Sequence, residues 1–240
     1  MTTRLTSSRR FPSGLYGVTP HWNDLNQLES AVRAAAAGGM TALQLRHKTP
    51  DTGERETLAR HLLGVCDSLH IPLIINDDWR LAQLIGAHGV HLGKDDDDPA
   101  MVRASLDPDC LLGVSCYDDL TRARQMLEIG VDYVAFGAMF TSGTKPHAPG
   151  AALHTLTEAR ALIQTNAPHT ALVAIGGITV DNAASVLAAG ADSLAVVGGL
   201  FLVPDIEATA QGFSALATSA AQAKPKNVHF KAGDSHDEQR

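Results

Sequence analysis

The sequence is poor in cysteine and in aromatic residues, and it has no long hydrophobic run. Its 3 cysteines, Cys66, Cys110 and Cys116, are too few and too irregularly spaced for a disulfide framework or a zinc site. No uncharged apolar stretch of about 18 residues is present, and the first residues contain arginines without an apolar segment. We therefore expect no membrane span, reduced thiols and a cytoplasmic protein.

Positive charge is scarce as well. The chain has 19 lysines and arginines against 26 aspartates and glutamates, a formal net charge of −7. This balance argues against nonspecific binding to nucleic acid but leaves room for a locally basic pocket, and we expect no nucleic-acid partner. The sequence leaves open whether the chain forms a homo-oligomer.

Eight short apolar segments alternate with amphipathic, helix-like segments over most of the 240 residues. This alternation predicts an α/β fold, a single-domain (β/α)₈ TIM barrel over residues 14–222. The polar residues 1–13 are predicted to form a flexible arm, and 223–240 a disordered tail. A doubly wound open sheet is the alternative, but it needs a glycine-rich turn where the chain reads Thr19-Pro20-His21. The predicted strands are 15–19, 42–46, 71–76, 89–92, 111–115, 133–136, 171–175 and 193–197, and the helix between the second and third strands is predicted over 57–69.

Two neighbouring strands end in acidic residues. Leu73-Ile74-Ile75 runs into Asn76-Asp77-Asp78, and Gly89 to Gly93 is followed by Lys94 and by Asp95 to Asp98. Parallel strands would bring these acids to the carboxyl edge of the sheet, where α/β proteins bind ligands. The alternative is that the aspartates only cap helices and solvate loops.

The ends of the second and sixth strands carry cations. In Gln44-Leu45-Arg46-His47-Lys48, alternation turns Gln44, Arg46 and Lys48 to one face, toward the barrel interior. Buried cations need anions, either a ligand or an internal partner such as Asp77. The long loop after the sixth strand contains Ser142, Thr144 and Lys145, a set that suits phosphate oxygens but also occurs in ordinary loops.

Glycine pairs follow the last two strands, in Ile175-Gly176-Gly177-Ile178 and Val197-Gly198-Gly199. Such loops form the phosphate site that recurs in barrels, although the glycines could simply make tight turns. No nucleophilic triad or metal-spaced histidine pair is found, and His91 is typical of a satisfied core histidine. Acids, cations and a phosphate-binding loop together predict a Mg²⁺ site for a diphosphate substrate, beside a second phosphorylated molecule.

Together these segments resemble the thiamine-phosphate synthase family, also called thiamine-phosphate pyrophosphorylase. They occur in the family's order between Leu15 and Leu202, and each is weakly specific alone. The segments are Leu15-Tyr16, Gln44 to Lys48, Ile74 to Asp77, Gly89 to Gly93, Gly113 to Ser115, Ser142 to Lys145 and Ala174 to Ile178.

The resemblance implies that 4-amino-2-methyl-5-(diphosphooxymethyl)pyrimidine and a thiazole phosphate are joined to give thiamine phosphate and diphosphate. The diphosphate leaves first, and the thiazole nitrogen captures the pyrimidinylmethyl cation. Asp77 and Asp96 would hold Mg²⁺, with Asp97 as the alternative to Asp96; Arg46, Ser115 and Lys145 would be catalytic. The pyrimidine diphosphate would be bound by Gln44, Leu45, Arg46, His47, Lys48, Asn76, Ser115 and Lys145, and the thiazole phosphate by Ser142, Gly143, Thr144, Gly177, Val197 and Gly198.

Three residues depart from the family's usual pattern. Lys94 stands where glutamine is usual, Ser142 replaces threonine and keeps its hydroxyl, and Gly198 replaces a common serine. Two other functions remain open at this point: a metal-free isomerase similar to the thiazole tautomerases, and a phosphate-binding barrel without catalysis. The isomerase would not need Asp77, Asp96 and Lys145 together.

Overall fold

The computed structural model describes residues 10–47, 49, 51–140 and 150–223. Its strands form a closed, parallel barrel in which each strand pairs with the next and β8 pairs with β1. This confirms the predicted barrel and excludes the open sheet. The strands are β1 Gly14–Val18, β2 Met40–Leu45, β3 Leu73–Asn76, β4 Gly89–Leu92, β5 Leu111–Tyr117, β6 Tyr133–Phe136, β7 Ala171–Ile175 and β8 Ser193–Val196.

Helices alternate with these strands. The helices are α1 Leu25–Ala37, α2 Thr52–Leu69, α3 Trp79–Ile85, α4 Pro99–Ser105, α5 Leu120–Ile129, α6 Leu153–Asn166, α7 Val180–Ala188, α8 Gly198–Phe201 and α9 Ile206–Ala223. Aspartate side chains accept backbone N–H groups at the starts of several of them, as at Asp24 and Asp119. None of the helices within the described residues has the length and apolarity that crossing a membrane requires.

The core has two layers because successive side chains of a strand point to opposite faces. One set fills the barrel and includes Tyr16, Ile74 and Tyr133, while the other lies between the sheet and the helices. Phe11, within the predicted arm, is fully buried in the first set. Its ring centroid lies 4.1 Å from that of Tyr133, so this part of the arm helps to fill the barrel.

Most element bounds match the sequence-based prediction, and the largest difference is at α2. The helix begins at Thr52 rather than Thr57, because the Asp51 carboxylate accepts the N–H groups of Gly53 and Glu54. In β5 the strand continues two residues beyond Ser115, to Tyr117.

Candidate active site

Polar side chains of β2, β3 and β5 lie on the interior side of the barrel, toward its carboxyl end. Gln44 and Ser115 lie near the ends of β2 and β5, and Asn76 is the last residue of β3. Asn76 has the same parity as the interior residue Ile74, and it pairs with His91 of β4. Gln44, Asn76 and Ser115, expected at the pyrimidine site, therefore converge on the barrel interior.

A chain of hydrogen bonds crosses the barrel between Gln44 and Ser115. Gln44 Nε2 donates to the Tyr16 hydroxyl at 2.8 Å, and the hydroxyls of Tyr16 and Tyr133 lie 2.9 Å apart. His91 continues the chain, with Nδ1 3.0 Å from the Tyr133 hydroxyl and Nε2 2.8 Å from Ser115 Oγ. Five side chains thus connect two walls of the barrel.

Burial keeps this chain uncharged. Desolvation lowers the pKa of His91 to about 4, and the nearby Asp96 carboxylate opposes this shift only in part. Desolvation also raises the pKa of Tyr16 and of Tyr133 well above the usual range. At neutral pH the imidazole and both phenols are therefore neutral.

The acids after β3 have different local roles. Asp78 is the N-cap of α3 and accepts the Leu81 N–H, as the helix-capping interpretation predicts. Asp77 is instead in the left-handed region, with φ 66°, and its N–H donates to the His91 carbonyl at 2.8 Å. Asp77 therefore lies against the end of β4, at the edge where the second acidic run begins.

In that second run, three aspartates have identifiable partners. Asp96 Oδ2 accepts the Gly93 N–H at 2.6 Å, which folds its carboxylate back over the end of β4. Asp97 Oδ2 accepts from the Trp79 indole and the Arg80 guanidinium, both at 2.7 Å, and these bonds lower the pKa of Asp97. Asp98 is the N-cap of α4. Of the two alternative metal ligands predicted from the sequence, Asp96 thus accepts a backbone N–H, whereas Asp97 accepts from an indole and a guanidinium.

The end of β2 is held by Thr19. The Arg46 N–H donates to Thr19 Oγ1 at 2.9 Å, and Thr19 N–H donates to the Gln44 carbonyl. Within the described part of the chain, Arg46 makes no ion pair with a carboxylate, so the internal pair considered for this cation is not found there. Leu45 is buried in the sheet–helix layer.

His47, the next residue, lies against a second histidine. Its ring centroid is 4.5 Å from that of His21, and its Nε2 is 3.2 Å from Asn23 Oδ1. Partial burial, followed by the proximity of His21, lowers the pKa of His47. A neutral ring at this position is suited to hydrogen bonding rather than to charge pairing.

The glycine loops after β7 and β8 pack closely on their neighbours. Gly177 has φ 63°, and a Cβ there would lie 2.7 Å from the Phe140 carbonyl oxygen. The Phe140 N–H in turn donates to the Gly176 carbonyl at 3.1 Å. The β7 loop therefore contacts the chain directly before the loop that carries Ser142.

At the end of β8, Val197 precedes α8 and Gly198 is its first residue. The Val197 carbonyl accepts from Leu200 and Phe201. Five predicted site residues lie outside the described residues: Lys48, Ser142, Gly143, Thr144 and Lys145. No cluster of three or more potential metal ligands occurs in the ranges the structure describes.

A cavity of about 670 Å³ lies at the opposite end of the barrel. Its walls include Asp67, His70 and His88, before β3 and β4, and Thr41 near the start of β2. In TIM barrels the active site lies at the carboxyl-terminal face, while the amino-terminal face serves stability. The candidate active site is therefore the polar carboxyl end and not this cavity.

The sequence analysis missed Tyr16, His91 and Tyr133 as parts of the site. All three point into the barrel, and their parity along each strand is readable from the sequence. The sequence does not show that these three side chains, from β1, β4 and β6, are within hydrogen-bond distance of one another across the barrel. His91 is a satisfied core histidine, as predicted, but its partner Ser115 is a candidate site residue.

Fold and site together define a (β/α)₈ barrel with a polar carboxyl end, the arrangement of barrel enzymes. Residues 15–200 match the family model described as thiamine monophosphate synthase. The chain is 57% identical over 207 residues to the thiamine-phosphate synthase of Bordetella bronchiseptica, covering 86% of this chain and 95% of that protein. It is 48% identical over 203 residues to the enzyme of that name from Methylobacillus flagellatus, covering 85% and 94%.

A solved structure agrees with these matches. The thiamine phosphate pyrophosphorylase from Pyrococcus furiosus superimposes with a TM-score of 0.76 at 26% identity, covering 88% of this chain and 98% of that chain. This chain belongs to the thiamine monophosphate synthase family.

Proposed function

We propose that this chain joins 4-amino-2-methyl-5-(diphosphooxymethyl)pyrimidine to a thiazole phosphate, giving thiamine phosphate and diphosphate. The thiazole substrate is 4-methyl-5-(2-phosphoethyl)thiazole or its carboxylated form. The observation that carries the proposal is the convergence of Gln44, Asn76 and Ser115 inside the carboxyl end of a barrel of this family. The protein is then a transferase of thiamine biosynthesis.

The pyrimidine diphosphate would lie at the ends of β2 to β5. Gln44, Asn76 and Ser115 supply neutral hydrogen-bonding groups within the barrel, suited to a heterocycle. Arg46 follows β2 without a described carboxylate partner, so its charge is available to phosphate oxygens. Leu45, His47, Lys48 and Lys145 complete the proposed set.

A magnesium ion fits the acids of this edge. Asp77 and the Gly93–Asp96 turn lie at the ends of adjacent strands, joined by the bond from Asp77 N–H to the His91 carbonyl. Two carboxylates, supplemented by substrate phosphates and water, are the usual way in which proteins hold Mg²⁺. Asp77 and Asp96 would hold it, and when bound it supplies positive charge that stabilises the departing diphosphate.

The thiazole phosphate would lie beside β7 and β8. Gly177 and the Val197–Gly198 segment supply backbone groups there, and the bond from the Phe140 N–H to the Gly176 carbonyl holds Phe140 at the same edge. Ser142, Gly143 and Thr144 follow Phe140 closely in the sequence. Since Gly198 lacks the common serine hydroxyl, its contribution is limited to the backbone.

The reaction needs stabilisation of leaving-group charge and alignment of two substrates, and it needs no protein nucleophile. The diphosphate departs first, and the thiazole nitrogen attacks the pyrimidinylmethyl cation. Arg46 and Lys145 would neutralise the departing diphosphate, and Ser115 would position the pyrimidine substrate. The absence of a nucleophilic triad from the sequence is consistent with this chemistry.

The test is diphosphate release by the purified full-length chain, with each substrate alone and with both, in the presence and absence of Mg²⁺. We expect release only when the pyrimidine diphosphate, the thiazole phosphate and Mg²⁺ are all present. Release from the pyrimidine substrate alone would indicate a hydrolase. No release from a folded protein that binds thiamine phosphate would indicate a binding protein or an isomerase.

A further inference from the structure

The two ends of the buried hydrogen-bond chain are residues assigned to the same substrate. Gln44 begins it on β2, Ser115 ends it on β5, and Tyr16, Tyr133 and His91 lie between. Hydrogen bonds in such a chain have a direction, because a hydroxyl donates one hydrogen and a neutral imidazole donates from only one nitrogen. The direction decides what Ser115 can offer to a ligand.

In one direction, the hydroxyl hydrogens of Tyr16 and Tyr133 and the ring hydrogen of His91 all have an acceptor. The Gln44 amide donates to Tyr16, so the Tyr16 oxygen is an acceptor there and its hydrogen can go to Tyr133. Tyr133 then donates to His91 Nδ1, which requires the hydrogen of His91 to be on Nε2. That hydrogen is donated to Ser115 Oγ.

The opposite direction leaves a buried hydrogen without an acceptor. If Tyr133 donated to Tyr16, the Tyr16 oxygen would accept twice, from Gln44 and from Tyr133. No other hydrogen bond of the Tyr16 hydroxyl occurs among the described residues, and Tyr16 is only 1% exposed. An unsatisfied buried donor is costly, so the first direction is favoured.

We propose that His91 is a positioning residue, held as the Nε2–H tautomer by Tyr133, and that it makes Ser115 a hydrogen-bond donor to the pyrimidine diphosphate. Since Oγ of Ser115 accepts from His91, its own hydrogen is directed away from the imidazole. Ser115 therefore favours a substrate that presents a hydrogen-bond acceptor at this position, such as a ring nitrogen or a phosphate oxygen. The role of Ser115 rests on the proposed function, whereas the tautomer of His91 does not.

Both ends of the His91–Ser115 pair are fixed by their backbones. The His91 carbonyl accepts from Asp77 N–H at 2.8 Å, and the Ser115 carbonyl accepts from Arg122 Nε at 2.8 Å. His91 is 8% exposed, and its ring is stacked on that of Tyr133 with the centroids 5.5 Å apart. The imidazole is thus held in one orientation before any ligand binds.

The first test is nuclear magnetic resonance of the full-length protein labelled with ¹⁵N-histidine, at neutral pH and without substrates. Long-range ¹H–¹⁵N correlation distinguishes a protonated ring nitrogen from an unprotonated one, and the spectrum of His91→Gln assigns the signals. We expect Nε2 of His91 to be protonated and Nδ1 unprotonated. Protonation of Nδ1, alone or together with Nε2, would overturn the proposal, and this result is independent of catalysis.

The second test is a double-mutant cycle with Tyr133→Phe and Ser115→Ala. Tyr133→Phe removes the hydroxyl that fixes the tautomer, and we expect it to raise KM for the pyrimidine diphosphate about 5- to 10-fold. KM for the thiazole phosphate should change less than about 2-fold. In the Ser115→Ala background, Tyr133→Phe should add less than about 2-fold, because its effect acts through Ser115.

Ile163→Val is the matched control, since it removes one buried methylene group from α6, outside this chain of hydrogen bonds. It should leave both KM values unchanged. If the increases in KM caused by the two substitutions multiply in the double mutant, the proposal is wrong. Equal increases in KM for both substrates would likewise show that Tyr133 acts only through stability. If Tyr133→Phe does not fold, the tautomer measurement alone decides the proposal.

Discussion

The ring of Tyr133 lies against the Cα of Gly113 so closely that a Cβ at Gly113 would overlap the ring atoms. Gly113 belongs to β5 and pairs with Tyr133 of β6, and both residues point into the barrel. The missing side chain leaves the space that the phenol occupies. Gly113 is therefore required for the position of Tyr133 and of its hydroxyl.

Gly113→Ala should lower the free energy of unfolding by about 2 to 3 kcal/mol, because the added methyl group forces a fully buried ring to move. Gly64→Ala is the matched control. A Cβ at Gly64 meets nothing within 4 Å, so the gain in helix propensity should stabilise α2 by up to about 1 kcal/mol. Urea unfolding of the two variants measures both effects, and equal stabilities would contradict this account of β5.

Asp96→Asn and Asp97→Asn should have different effects on Mg²⁺-dependent activity. We expect the first to reduce turnover about 100-fold or more, because it removes a proposed metal ligand. Asp97→Asn should retain activity within a few-fold, since that carboxylate is bonded to Trp79 and Arg80. Turnover measured over a range of Mg²⁺ concentrations compares them, and the reverse order would assign the ligand to Asp97.

The folded protein should become less stable at acidic pH because the buried imidazole of His91 resists protonation. The pKa of its imidazole is about 4 in the folded protein and about 6.5 in the unfolded chain, so between these values the unfolded state binds more protons. The free energy of unfolding should therefore fall as the pH drops from about 6.5 toward 4, by on the order of 3 kcal/mol from this residue. Urea unfolding from pH 4.5 to 7.5 should give a shallower slope for His91→Gln than for the unsubstituted protein; identical slopes would refute the assignment.

The three thiols should differ in reactivity. Burial raises the pKa of Cys66 and of Cys116 to about 12, while Cys110 is partly buried with a pKa raised less. Because the thiolate is the reactive form, iodoacetamide at pH 8 should label Cys110 slowly and leave the other two unmodified. Mass spectrometry should show at most one labelled cysteine in the native protein and three labelled cysteines after unfolding in urea. Rapid native labelling of Cys66 or Cys116 would contradict their burial.

Much of the barrel could be predicted because local signals and the tertiary fold agree. Asp98-Pro99 marks the start of α4, and the apolar run that ends at Asn76 marks β3. The start of α2 was placed too late because its first turn, with Glu54 and Arg55, has no apolar periodicity and depends on the Asp51 cap. Capping by one side chain is a weaker signal than a repeated apolar face.

The candidate site was predicted in part for a similar reason. Gln44, Asn76 and Ser115 stand at strand ends, where parity along the chain and the parallel sheet bring them together. The bonds between Tyr16, Tyr133 and His91 join strands that are distant in sequence and lie across the barrel, so no local pattern encodes them.

The most direct test of the proposed function is to measure both products in one reaction, with the two substrates and Mg²⁺. Thiamine phosphate and diphosphate should accumulate in equal amounts, because each departing diphosphate leaves a cation that the thiazole captures. Diphosphate without thiamine phosphate, or neither product from a folded protein, would contradict the account.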